Sequence, residues 1–206
     1  MNTHITEARE NRSVRKALSR ESLVRAARNL CRRDGFVGLR TADVARQAGL
    51  SHGALFTHFP TREALIQEAV RDLTASLTDR LAVLVDEGAG LRAVLAAHLA
   101  CLAEHEELYR RLLIEAPLLP EPARLTWIGF QSAVSHHIAR AAQAERAGGH
   151  LRAIAPHLLF NTWIGLVHHY CLNRDLFAPG QSVFARRGAM LIGHFVSLIS
   201  NPEEGP

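Results

Sequence analysis

The segment Thr41–Phe59, TADVARQAGLSHGALFTHF, constrains the fold more than any other part of the chain. It reads as a short helix, a turn containing Gly49 and a second short helix, the layout of a helix-turn-helix. Thr41 is placed to cap the first of these helices and Ser51 the second, because a side-chain oxygen there accepts an otherwise orphaned backbone N–H. Val44, Ala45 and Ala48 make an inner face, and the two alanines are small enough for close helix approach. Gly49 supplies the positive φ of a sharp turn, and Leu50 plugs the space between the helices. Leu55 and Phe59 lie one turn apart and face the core. Gly53 and Ala54 keep the leading face of the second helix low, so that it can approach a groove floor.

The flanks extend this pattern into an all-α chain. Ser19 is expected to cap a helix carrying Leu23, Ala27, Leu30 and Cys31 at helical spacing, which Gly35 stops. Pro60 ends the helix-turn-helix, and Thr61 caps a long helix whose stripe runs Ile66, Val70, Leu73, Leu77, Leu81, Leu84. Helices are then predicted over about 91–104, 106–115, Pro122 to Gly148, Pro156 to Asn173 and Ser182 to Ser200. No strand pattern or repeat period interrupts them. The expected organisation is a flexible basic arm over 1–18, a helix-turn-helix domain over 19–65 and a helical effector-binding and dimerisation domain over 66–206.

Charge sharpens the reading. Residues 1–65 hold 12 Arg/Lys against 6 Asp/Glu, a net of +6, whereas residues 66–206 carry a net of −2. Concentrated positive charge suits an anionic partner such as nucleic acid, although a solvated basic terminus gives the same count. Three widely spaced cysteines, Cys31, Cys101 and Cys171, fit a reducing compartment better than a disulfide framework. No apolar run is long enough for a membrane helix, and the first 30 residues lack the apolar region of a signal peptide. A cytoplasmic protein without membrane contact is expected. No G-x-S-x-G, H-E-x-x-H or phosphate-binding glycine loop is present, so no enzyme and no cofactor are expected.

From Leu23 to Leu65 the chain resembles the N-terminal domain of the TetR family of repressors. The likeness rests on Ala27, Gly35-Phe36, Thr41, Val44-Ala45, Ala48-Gly49-Leu50-Ser51, Gly53, Leu55, His58-Phe59-Pro60-Thr61-Arg62 and Glu63-Ala64-Leu65. It implies that the third helix enters the major groove of double-stranded DNA, with His52, Gly53, Ala54 and Thr57 facing base edges. It further implies phosphate contacts from Thr41 and Arg62, with Arg40, Ser51 and His58 nearby. His58 is either one of these contacts or a buried structural histidine. Two positions depart from the family, which usually has Tyr where Phe56 stands and often Lys where Arg62 stands. Phe56 cannot supply the phenolic hydroxyl that commonly binds a phosphate.

The rest of the chain matches the family only in being helical. The resemblance implies a palindromic operator, a homodimer built on the last two helices and a small-molecule effector among the central ones. Phe184, Gly188, Leu191, Phe195 and Leu198 form a stripe on the final helix, and Phe160, Ile164 and Val167 a band on the helix before it. These suit either a four-helix subunit interface or the subunit's own core. Candidates for a mostly apolar effector pocket are His98, Cys101, Trp127, Gln131, His136, Asn161, Trp163 and His168. Two alternatives stand beside an effector-released repressor. One is a DNA-binding regulator or architectural protein without an effector. The other is a His/Cys metal sensor or metal enzyme, although adjacent pairs such as His136-His137 point about 100° apart on a helix and make poor chelates.

Overall fold

The structure is a computed structural model that describes residues 2–85 and 88–201, with side chains from Ser13 onward. Its elements are α1 (Asn2–Asp34), α2 (Thr41–Gln47), α3 (His52–His58), α4 (Arg62–Leu84), α5 (Leu91–Glu104), α6 (Glu106–Glu115), α7 (Glu121–Ala147), α8 (Pro156–Leu172), α9 (Arg174–Phe177) and α10 (Val183–Ile199). A single 3-10 turn, Ala116–Leu118, separates α6 from α7. The described residues form no sheet. One isolated bridge, Leu151 to Ser200, ties the α7–α8 connection to the end of α10.

Two local expectations need correction. The basic arm is helical in this structure, because α1 begins at Asn2 rather than at Ser19. Residues 2–34 contain no proline or glycine, so nothing in the chain stops the helix from propagating backwards. Ser19 is therefore inside a helix, where its hydroxyl donates to the Arg15 carbonyl (2.9 Å). The side chains of Arg9 and Arg12 lie outside the described residues. Likewise, Thr41 is the first residue of α2 and not its cap. Arg40 takes the cap position without a side-chain hydrogen bond, and the Thr41 hydroxyl is used elsewhere, as described below. Ser51, Thr61 and Ser182 do cap α3, α4 and α10, accepting from Ala54, Ala64 and Ala185 backbone N–H groups.

Helices α1 to α3 and the start of α4 make a small head around Leu23, Ala27, Phe36, Leu39, Val44, Leu55, Phe59 and Leu65, all buried. The body packs α4 against α5 and α7, α10 against α5, and α8 against α6, α7 and α10. Its core is continuous with that of the head along α4. Helix α6 joins the two regions. At its start the buried Glu106 carboxylate accepts from the Ser182 hydroxyl (2.5 Å) and the Val183 N–H (3.1 Å), anchoring the N-terminus of α10. At its end Glu115 Oε2 accepts the Val37 N–H (2.6 Å) in the α1–α2 loop. Between them, Arg111 Nη2 donates to the Arg33 carbonyl (3.1 Å).

Candidate nucleic-acid interface

The head presents α3 outward. Gly49 adopts φ +70° between α2 and α3, the Leu50 N–H donates to the Ala45 carbonyl (2.9 Å), and Leu50 packs partly buried against the core. This turn leaves Leu55 and Phe59 inside, while Ser51, His52, Gly53, Phe56 and Thr57 are exposed and Ala54 is half-buried. A Cβ built on Gly53 meets nothing within 4 Å, so that face is low, as its composition suggests. Thr41 Oγ1 and His52 Nε2 share a hydrogen bond (2.9 Å). That bond joins the first turn of α2 to the first turn of α3 and fixes the His52 ring at the rim of the exposed face. The Phe56 ring packs edge-on to His52 with centroids 4.9 Å apart. Phe56 is 42% exposed, an apolar surface in the middle of the reading face that helical spacing alone did not single out as functional. Thr57 Oγ1 donates to the Ala54 carbonyl (2.7 Å), so its proton is engaged while its oxygen can still accept.

Two residues expected on phosphates do something else. The Arg62 guanidinium turns back onto the α1–α2 loop, where Nε donates to the Leu39 carbonyl (2.8 Å) and Nη2 to the Val37 carbonyl. It satisfies loop carbonyls that no helix or strand would otherwise satisfy, so its first role is to hold the head together. His58 is half-buried and its Nδ1 is buried without a hydrogen-bond partner. Burial, with Lys16 and Arg20 beside it, holds its pKa below the usual histidine value, which favours the neutral ring. Exposed cations beside the helix pair are instead Arg40 at the start of α2, Arg46 on α2, which pairs with Asp43 (2.6 Å), and Lys16 near His58. Arg20 bridges to Glu68 (2.8 Å) and lies over the Phe59 ring (5.1 Å), locking α1 onto α4.

The body places the expected effector residues unevenly. Trp163 Nε1 donates to His98 Nδ1 (3.1 Å), both side chains being buried. His168 Nε2 shares a hydrogen bond with the Tyr109 hydroxyl (2.9 Å), and Trp127 lies edge-on to Tyr109 (5.4 Å) and stacks with His168 and Phe130. His98, Trp163, His168 and Trp127 thus belong to two neighbouring aromatic clusters in the core. Tyr109, Phe130 and Phe195 complete them; sequence reasoning missed Tyr109 and Phe130 and assigned Phe195 to the subunit interface. Nothing in their spacing separates them from ordinary core residues. The other four expected residues lie apart from the clusters. Cys101 is buried on α5, with its thiol pushed up to about 11 by burial. Gln131 lines a shallow groove of about 350 Å³ with Ile128, Ser132, Ser135 and Phe160. His136 and Asn161 are exposed. A cavity of about 320 Å³ lies elsewhere, between the end of α7 and the start of α8, among Ala142, Arg146, Leu151, Arg152, Leu159 and Ile199. No three His, Cys, Asp or Glu side chains converge on a metal-sized site among the described residues.

The expected subunit interface also changes. Phe160, Ile164, Val167, Phe184, Gly188, Leu191 and Phe195 are buried within their own subunit, and a Cβ on Gly188 would lie 3.2 Å from Leu99. These stripes are intramolecular core. Only Leu198 of the expected set is exposed. It shares the outer faces of α8 and α10 with exposed Leu158, Leu172 and Met190.

A short helix pair with a left-handed glycine turn, a low exposed second helix and a basic surround defines a helix-turn-helix DNA-binding head on a helical body. Residues 23–69 match the family model for bacterial regulatory proteins of the tetR family. Over that head the chain is similar to the TetR family of transcriptional regulators. It is 35% identical over 72 residues to the HTH-type transcriptional regulator CymR of Pseudomonas putida, covering 35% of this chain and 36% of CymR. It is 28% identical over 152 residues to the HTH-type transcriptional repressor AcnR of Corynebacterium diphtheriae, covering 73% of this chain and 77% of AcnR. The crystal structure of a TetR-family transcriptional regulator from Agrobacterium tumefaciens superposes with a TM-score of 0.72 at 18% identity, covering 90% of this chain and 100% of that one. No helix among the described residues is long and apolar enough to cross a membrane.

Proposed function

We propose that this chain is a cytoplasmic, sequence-specific DNA-binding repressor that acts as a homodimer on a palindromic operator and is released by a small, mostly apolar molecule. The observation that carries the DNA-binding part is the exposed α3 face, where His52, Gly53, Phe56 and Thr57 meet no other element of the body. On that face, His52 and Thr57 hydrogen-bond base edges, while Phe56 and Ala54 contact thymine methyls. Arg40, Arg46 and the free N-terminus of α2 contact phosphates, and Arg62 positions the α1–α2 loop that carries Arg40. The dimer forms through the outer faces of α8 and α10, because exposed Leu158, Leu172, Met190 and Leu198 concentrate apolar surface there. Three buried, unpaired cysteines fit a reducing compartment. Repression is favoured by the likeness to AcnR, a repressor by name.

Selection from a random duplex library with the purified full-length chain tests this reading. The expected product is a site with two-fold symmetry, and His52→Ala or Thr57→Ala should change the preferred bases. Recovery of no enriched sequence, or unchanged preferences in both variants, would refute base reading by α3.

A further inference from the structure

The core holds a hydrogen-bond donor that nothing among the described residues satisfies. His98 is 1% exposed. Its Nδ1 accepts from Trp163 Nε1, so in the neutral ring the proton sits on Nε2. That Nε2–H is buried with no partner. Burial, with His168 nearby, depresses the His98 pKa to about 3, so the ring is neutral at ordinary pH. An unpaired buried donor is destabilising, and native proteins keep one where water, an ion or a ligand supplies the acceptor.

The surroundings narrow what that acceptor can be. Trp163 contacts Phe195 (5.2 Å). Also near His98, His168 bonds Tyr109 and stacks with Trp127. The flat, apolar faces suit a planar molecule. The charged residues buried among the described residues are Glu68 and Glu106, and both have their own partners. No buried cation is available to an anionic ligand, and an unpaired charge in such a core is costly.

We propose that the effector is an uncharged, largely aromatic molecule whose carbonyl-type oxygen accepts from His98 Nε2–H, seated among the Trp163, Phe195, Tyr109 and Trp127 rings. This rests on the reading of the chain as an effector-released regulator. The cluster is packed, so the molecule enters by parting the rings. Tyr109 belongs to α6, whose far end holds the α1–α2 loop through Glu115. Parting the rings therefore displaces the helix that steadies the head.

Three nearly isosteric probes separate the requirements: acetophenone, ethylbenzene and benzoate. Each is titrated into the full-length dimer while three signals are followed. These are melting temperature, release of the selected operator, and the ¹⁵N signal of His98 Nε2–H. Acetophenone should act at a concentration at least about tenfold lower than the other two, the ratio expected for one good buried hydrogen bond. It alone should shift the His98 signal. His98→Phe should abolish the preference for acetophenone over ethylbenzene while operator binding persists. Should that variant fail to fold, the His98 signal in the wild type decides. Equal potency of acetophenone and ethylbenzene, greater potency of benzoate, or no response to any probe would overturn the proposal. The last outcome would mean that a trapped water satisfies the donor. If acetophenone shifts the melting temperature and the His98 signal in a protein that selects no DNA, the ligand site stands and the DNA-binding reading falls.

Discussion

Replacing Gly35 with alanine should damage the joint between head and body in a way that reports on one partner, Glu115. Gly35 ends α1 at φ +84°, where an alanine pays about 1–2 kcal/mol. Its new Cβ would sit 1.9 Å from Glu115 Oε1, so the carboxylate must swing away. That movement costs the Val37 N–H its acceptor at 2.6 Å. A hydrogen bond to an ionised group contributes about 1.5–3 kcal/mol, discounted to about 1–1.5 kcal/mol because Val37 is exposed and its N–H can bind water. Gly35→Ala should therefore destabilise by about 2–3.5 kcal/mol, lowering the melting temperature by roughly 4–14 °C for a chain of this size. In a Glu115→Ala background the carboxylate is already gone, and the same change should cost only the backbone strain. Calorimetry on the wild type, both single variants and the double variant gives the coupling, expected at about 1–1.5 kcal/mol. Additive losses, with coupling below about 0.3 kcal/mol, would show that Gly35 and Glu115 act independently and would refute the joint as described.

Other perturbations test separate parts of the structure. Ser51→Ala removes the cap of α3 and should cost about 1 kcal/mol while leaving Thr61 and α4 intact, readable as faster amide exchange confined to α3. Arg62→Ala should lower thermal stability by unpinning the Leu39 and Val37 carbonyls, yet leave the salt dependence of operator binding close to wild type; a slope reduced by about one unit would return Arg62 to a phosphate. His98 and His168 have pKa values depressed to about 3 and about 4 by burial, so both are neutral in the folded chain while their unfolded counterparts take up protons below about pH 6.5. Their contribution to stability is complete above that pH and is lost as pH falls toward 4, with a slope of about 1.4 kcal/mol per pH unit for each group. Melting temperature should decline from pH 7 to 5, and His168→Phe should make the decline shallower. Leu198→Glu should shift sedimentation from dimer to monomer, whereas a bulky residue at Gly188 should destabilise the subunit by pressing on Leu99.

The head was legible in the sequence because its information is local. Gly49, Leu50, Ser51 and the Leu55–Phe59 pair act on neighbours within a few residues, and the structure places each as the spacing indicates. Thr41 was misjudged for an equally local reason, since a hydroxyl at a helix start serves a cap or a neighbouring helix equally well, and here His52 takes it. The body was less legible because a stripe records that a face is apolar, not what covers it. Phe184, Leu191 and Phe195 face α5 and α8 of their own subunit, and the outward apolar residues fall on positions that look unremarkable in sequence. For the aromatic core, His98, Trp127, Trp163 and His168 stand out in the sequence, but not that Tyr109, from a different helix, bonds His168.

The grip of Glu115 on Val37 sets a limit on modular reuse of this protein. A head transplanted onto another sensor by cutting within α4 would arrive with an unfilled amide at Val37 and a glycine shaped around a missing carboxylate. Chimeras should respond to their new sensor only when the recipient's corresponding helix ends in an acidic residue at that position. In that sense the portable unit includes ten residues of α6 that lie far along the chain from the recognition helix they support.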